Sequence, residues 1–248
     1  MHQSTFNKFT YVIKLLTINI LIFMNSHIEA ANTVVTVNKK GRTITIPNEI
    51  MQQFHKFAAE DKKELYLDIG AAYGVATIPL IKDNINVIAN DINLNHLLEI
   101  HRSCPKTNKG KLLLSAGHFP SDISLPNSSL KGILASQVLH FLTGHEIEHA
   151  VNKMYRWLKP GGKVFTISGT AYSNNIQNVI PVYENANHPT IDELPDFFHV
   201  LDPEVLRKAF EKTGFIVEKC EFFKRSNLPQ YIKFDGRENA ILIAQKPY

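Results

Sequence analysis

Three groups of residues in this 248-residue chain could do chemistry. The first begins with Glu64-Leu-Tyr-Leu-Asp-Ile-Gly-Ala-Ala-Tyr-Gly74, an apolar run that ends in Asp68 and opens through Gly70 and Gly74 into Val75 to Leu80 with no turn signal. It reads as strand, tight loop and helix start. Gly70 supplies backbone angles closed to other residues, and the small Ala71 and Ala72 let main-chain N–H groups approach a ligand at a helix N-terminus. About twenty residues on, Asn86-Val-Ile-Ala-Asn-Asp91 is a second buried strand ending in a carboxylate, the spacing at which a βαβ unit sets an acid against the ribose of an adenosine. A carboxylate can accept both hydroxyl protons of that ribose.

The second group is His140, just past the carboxyl end of a fourth strand, where an imidazole titrating near neutral pH could serve as general base. A ring merely packed beside Leu139 and Phe141 is the plainer reading. The third is His145-Glu-Ile-Glu-His149, which satisfies the H-E-x-x-H pattern of zinc peptidases. Helix geometry weighs against it. At roughly 100° per residue, Ile147, Ala150, Val151, Met154 and Leu158 share one face and the two histidines fall almost opposite. Asn152 and Tyr155 also stand where an extended zinc motif carries glycine and a third histidine.

These residues need a frame. A chain of this length with 44% hydrophobic residues fits one α/β domain with appendages. A formal charge of +4, with the cations scattered, argues against a dedicated nucleic-acid surface. Cys104 and Cys220 are the only cysteines, too few for a disulfide scaffold, and read as separate thiols. At the N-terminus, Lys8 and Lys14 lead into an apolar run from Leu15 to Met24, with Ile28-Glu-Ala30 as a cleavage site. Residues 1–30 therefore read as an export signal, implying a secreted or periplasmic protein with a cytoplasmic one as alternative. The run is too short for a stable transmembrane span, which takes about twenty apolar residues.

Thr33 to Val37 and Thr43 to Ile46 alternate with period two around a polar loop, a hairpin within residues 31–47. Residues 48–248 form the main domain. Pro47 stands where a helix running to Asp61 can begin. Strands at Leu65 to Ile69, Val87 to Asn90, Lys111 to Ser115, Leu130 to Gln137 and Lys163 to Ile167 then alternate with helices at Val75 to Lys82, Leu94 to Cys104 and Thr143 to Leu158. Such βα repetition predicts a Rossmann-like, doubly wound, mostly parallel sheet. Residues 171–200, rich in aromatics, read as a lid or insertion. A capped helix from Asp202 to Gly214 and two strands, Phe215 to Phe223 and Ala240 to Gln245, close the chain as an antiparallel edge, for seven strands in all.

Leu67-Asp-Ile-Gly-Ala-Ala-Tyr-Gly74, Asp91 and the turn Lys159-Pro-Gly-Gly162 together resemble the class I S-adenosylmethionine-dependent methyltransferases, over about residues 48 to 246. The resemblance implies S-adenosylmethionine as cofactor and transfer of its methyl group to an acceptor. It implies that Asp68 orients the cofactor's methionine portion, that Gly70, Ala72, Tyr73 and Gly74 form the loop beneath it, and that Asp91 and Ile92 meet the ribose and what lies beyond. Gly117 and His118 fall where the family holds the adenine, and Ser136 and Gln137 where it faces the methionine end or the acceptor. One departure stands out: Ala72 replaces the loop's usual middle glycine. The aromatic lid favours a small, partly apolar acceptor, and a protein acceptor stays open. The alternatives are a non-enzymatic exported binding protein on the same scaffold, the zinc peptidase, and a nicotinamide-dependent oxidoreductase, which would share the loop and Asp91 but lack the antiparallel closing strands. Oligomeric state has no sequence signal.

Overall fold

The structure, a computed structural model, describes residues 33–35, 42–170, 201–223 and 239–248. The export-signal and lid readings fall outside the described residues. Two compact units are present, residues 1–46 and 47–248. In the first, β1 (Thr33–Val35) pairs antiparallel with β2 (Arg42–Ile44), Thr33 opposite Ile44.

The second unit opens with α1 (Glu49–Glu60), which starts two residues after Pro47 because the Asn48 side chain accepts the Met51 N–H and caps it. Next come β3 (Leu65–Ile69), α2 (Thr77–Lys82), β4 (Asn86–Asp91), α3 (Leu94–Ser103) and β5 (Leu112–Ala116). They are followed by β6 (Leu130–Ser136), α4 (Gly144–Trp157), β7 (Leu158–Gly169), α5 (Pro203–Thr213), β8 (Ile216–Phe223) and β9 (Asn239–Gln245). The seven strands lie in the order β5-β4-β3-β6-β7-β9-β8, parallel except for β9, which runs antiparallel to both its neighbours. That antiparallel closure is what the oxidoreductase alternative would lack.

Why the sheet is central follows from its strands. Tyr66 and Phe165 point to a layer shared with Ile50, Phe54 and Leu97, while Leu67, Ile133 and Val164 point to one shared with Ile147, Met154 and Phe210. Strands apolar on both faces belong inside a parallel sheet, with helices covering each side. Helix α4 begins at a reciprocal cap in which the Thr143 hydroxyl accepts from Glu146 N and the Glu146 carboxylate accepts from Thr143 N. Helix α5 begins at Asp202 and Pro203 and ends at Gly214, φ +102°.

In the second unit most boundaries fall within one residue of expectation, and two elements differ by more. Helix α2 starts at Thr77 rather than Val75, because Ala72 at φ +46° and Gly74 at φ +76° wind the chain left-handed first. Strand β7 absorbs Lys159-Pro-Gly-Gly162 as a register shift opposite Leu130 and Gly132 instead of starting after it. There Gly161 N donates to Lys246 O and Lys246 N to Gly162 O, so the chain's last residues pair with the turn.

Candidate cofactor site

Every buried polar or charged side chain among the described residues lies at the carboxyl end of the parallel strands: Asp68, Thr77, Asn90, Asp91 and His96 on the β3–β4 side, and His140, Thr166, Ser168, Thr170 and Asn239 on the β6–β7–β9 side. Asn239 joins this end because β9 runs the opposite way, pairing with Gly169. Elsewhere the described core is apolar apart from the Tyr66 phenol, which donates to Asp61 O, so buried polarity is concentrated at the end where ligands of open α/β sheets gather.

On the first side, neighbouring parallel strands bring Asp68 and Asp91 to one end, since Asp68 pairs in register with Ala89, two residues before Asp91. Asp68 is 2% exposed, and its Oδ2 accepts from the Thr77 hydroxyl at 2.6 Å, which ties β3 to the first turn of α2. Burial pushes its pKa from the ordinary 3.8 to about 7; the Thr77 hydrogen bond opposes that rise and the nearby Asp91 charge adds to it. Asp91 is 6% exposed and heavily engaged: Oδ2 accepts Ala72 N at 2.9 Å, while Oδ1 accepts Asn93 N at 2.8 Å and His96 Nδ1 at 3.0 Å. Three of the roughly four acceptor positions of a carboxylate are thus filled by the protein. One position, on Oδ2, remains.

The glycines serve packing more than ligand approach. A Cβ on Gly70, at φ +67°, would stand 2.5 Å from Val138 Cγ2, and one on Gly74 would stand 2.9 Å from Ile100. Ala72 occupies its left-handed angle without glycine, its N–H spent on Asp91. Tyr73 sets its ring edge-on to His96, centroids 5.0 Å apart. Ile92, next to Asp91, is 64% exposed, an apolar side chain left at the mouth of the site. Gly117 receives Asn90 Nδ2 on its carbonyl at 3.0 Å and donates its own N–H to Asp91 O, so the loop after β5 is pinned to β4. His118 turns its Nδ1 to Ser121 and its Nε2 towards Glu146 at 3.9 Å.

On the second side the groups are uncharged. Gln137 follows Ser136, the last residue of β6, at φ +58°; its N–H donates to Ile167 O and its side-chain Nε2 to Asn239 Oδ1 at 2.7 Å. His140, 6% exposed, accepts the Gly169 N–H on Nδ1 at 3.3 Å, so the ring extends the β6–β7 ladder beyond the end of β6. Burial pushes its pKa from 6.5 to about 4. A ring whose Nδ1 lone pair is engaged carries its proton on Nε2. Ser168 Oγ is buried without a hydrogen-bond partner.

Sequence reasoning named Asp68, Asp91 and the loop, and they do converge. It missed Asn90, His96, Thr77 and Asn239. His96 was detectable, being a polar residue on the face of α3 that also carries the buried Leu97 and Ile100. His145 and His149 are exposed on α4, and Glu146 is spent in the cap, so the H-E-x-x-H match is a surface coincidence. Cys104 and Cys220 are free thiols.

Comparisons with known proteins agree with this geometry. Residues 67–162 match the family model described as a methyltransferase domain. Phosphoethanolamine N-methyltransferase of Triticum aestivum is 28% identical over 99 residues, which is 40% of this chain but only 19% of the wheat protein. Among solved structures, a SAM-dependent methyltransferase from Methanosarcina mazei superposes with a TM-score of 0.59 at 18% identity, covering 82% of this chain and 99% of that one. Phosphoethanolamine N-methyltransferase 2 from Haemonchus contortus, in complex with S-adenosyl-L-methionine, gives 0.60 at 15% identity, covering 81% of this chain and 53% of that one. The family match is confined to residues 67–162, less than half of the chain, and the likeness to these solved structures is one of fold, shared with proteins of which one holds S-adenosylmethionine. The residues present fit that cofactor: an acidic oxygen with one open acceptor position sits beside an exposed apolar side chain, Ile92, between loops held by the backbone.

Proposed function

We propose that residues 47–248 bind S-adenosylmethionine at the carboxyl ends of β3, β4 and β5 and transfer its methyl group to a small-molecule acceptor held beside β6 and β7. The observation that carries this reading is the gathering of every buried acid, amide and imidazole of the described residues at that one end of the sheet. Asp91 takes the ribose, Ile92 faces the adenine, and Gly117 and His118 form the wall beyond. Asp68 and the loop from Gly70 to Gly74 hold the methionine end, with Ser136 and Gln137 between cofactor and acceptor.

When bound, the cofactor would supply an electrophilic methyl carbon on a sulfonium: the acceptor's lone pair would form the new bond to that carbon, the carbon–sulfur pair would pass to sulfur to give the neutral thioether, and any proton on the acceptor atom would be lost to water. The chain's own contribution is alignment and exclusion of water, which suffices for much of such a displacement. His140, held neutral with its Nδ1 braced on the Gly169 N–H, forms part of the wall on the acceptor side. An uncharged acceptor suits this half best, because among the described residues none of its buried polar side chains is an acid, lysine or arginine. Phosphoethanolamine, named for the wheat and Haemonchus proteins, is charged and fits less well. The leader at residues 1–30 directs the protein out of the cytoplasm; N-terminal sequencing of the mature chain would reveal cleavage after Ala30.

Titration calorimetry of the full chain with S-adenosylmethionine tests the reading. Binding is expected, and Asp91→Ala should weaken it by about 100-fold, since three N–H donors lose their acceptor along with the ribose contact. Unchanged affinity in that variant would reject the assignment.

A further inference from the structure

Asp91 does not stand alone at the end of β4. His96, one turn into α3 and 3% exposed, donates Nδ1–H to Asp91 Oδ1, and Asn93 N donates to the same oxygen. A carboxylate only accepts, so Nδ1 carries the proton, and both accepting directions of Oδ1 are occupied. Oδ2 receives Ala72 N alone. The edge of the Tyr73 ring lies against His96 and limits its freedom to swing away.

We infer that His96 is a positioning residue that makes Asp91 a one-hydroxyl acceptor: it closes Oδ1, so that the carboxylate grips a single hydroxyl of the cofactor ribose, through Oδ2. This rests on the cofactor assignment above and sharpens it. A carboxylate free at both oxygens would take the 2′- and 3′-hydroxyls together; this one has room for either but not for both. The second hydroxyl then contributes little to affinity, and the selectivity is set by a side chain that does not touch the ligand.

The test uses S-adenosylhomocysteine and its 2′-deoxy and 3′-deoxy analogues, titrated calorimetrically against the full-length protein. With the wild type, one deoxy analogue should bind about 10- to 100-fold more weakly than the parent, as expected for a lost hydrogen bond to a charged group, and the other within about 3-fold. In His96→Leu the position that Nδ1 held on Oδ1 opens, and both analogues should now bind more weakly than the parent. His96→Asn keeps an N–H donor at similar reach and should restore the one-hydroxyl pattern, which a purely structural role for the ring would not do. Equal weakening of both analogues by the wild type, or of neither, overturns the inference, as does an unchanged pattern in His96→Leu. If His96→Leu fails to fold, the wild-type pair and His96→Asn decide it. Failure of the parent compound to bind at all would instead sink the cofactor assignment, so the two failures are distinct.

Discussion

The two halves of the sheet's carboxyl end handle buried polarity in opposite ways. The β3–β4 half keeps two carboxylates, surrounds Asp91 with three N–H donors and gives Asp68 a single hydroxyl. Among the described residues the β6–β7–β9 half buries no charge: Gln137 bonds Asn239, Thr166 bonds Ala135 O, and His140 bonds the Gly169 N–H. Buried charge is tolerated where many donors converge, and neutral groups need fewer partners. The contrast teaches that one polar rim can combine a half built on buried acids with one whose described groups are amides, hydroxyls and a neutral imidazole.

The seam between the halves is the contact of Gly70 with Val138, and breaking it should have the largest effect. Gly70→Ala would place a methyl group 2.5 Å from Val138 Cγ2 at φ +67°. A loss of about 4 kcal/mol is expected in denaturant unfolding, combining overpacking with left-handed strain.

Next in size, the halves should respond oppositely to pH. The folded-state pKa of Asp68 is raised to about 7, so between about pH 4 and 7 the unfolded chain releases a proton that the folded one retains, and stability falls as pH rises. His140 is lowered to about 4, so between about pH 4 and 6.5 the unfolded chain binds a proton that the folded one refuses, and stability rises with pH. The two trends offset each other in the wild type. Asp68→Asn should expose the rising trend and His140→Gln the falling one, each on the order of 3 kcal/mol across its window. Urea unfolding at pH 4.5, 6 and 7.5 would show this, and parallel curves for the two variants would refute the contrast.

Smaller effects separate the two amide braces. Asn90→Ala frees the loop at Gly117 and should lower affinity for S-adenosylhomocysteine by about 5-fold, the equivalent of one neutral hydrogen bond. Gln137→Ala loosens the other half and should leave that affinity within about 2-fold. Smallest of all, His145→Ala and His149→Ala should change stability by less than about 0.5 kcal/mol, because both rings face solvent on α4.

Much of this frame was legible in the chain itself. The apolar run Leu65 to Ile69 closing on Asp68, the run ending in Asp91, and the capped helices α4 and α5 follow from local pattern, because parallel strands buried on both faces and helix caps each leave a short-range signature. The phase of α4 correctly placed His145 and His149 outside, since helical periodicity alone fixes which face is buried.

What local pattern could not decide was how the lone pairs are shared. That Asp91 spends three acceptor positions on Ala72, Asn93 and His96, that Gly70 is required by Val138, and that His140 extends a ladder to Gly169 all depend on residues brought together across strand pairings. Periodicity tells which residues go inside. Only the assembled sheet end determines which of them remain available to a ligand, because hydrogen-bond capacity is exhausted pairwise, by neighbours in space.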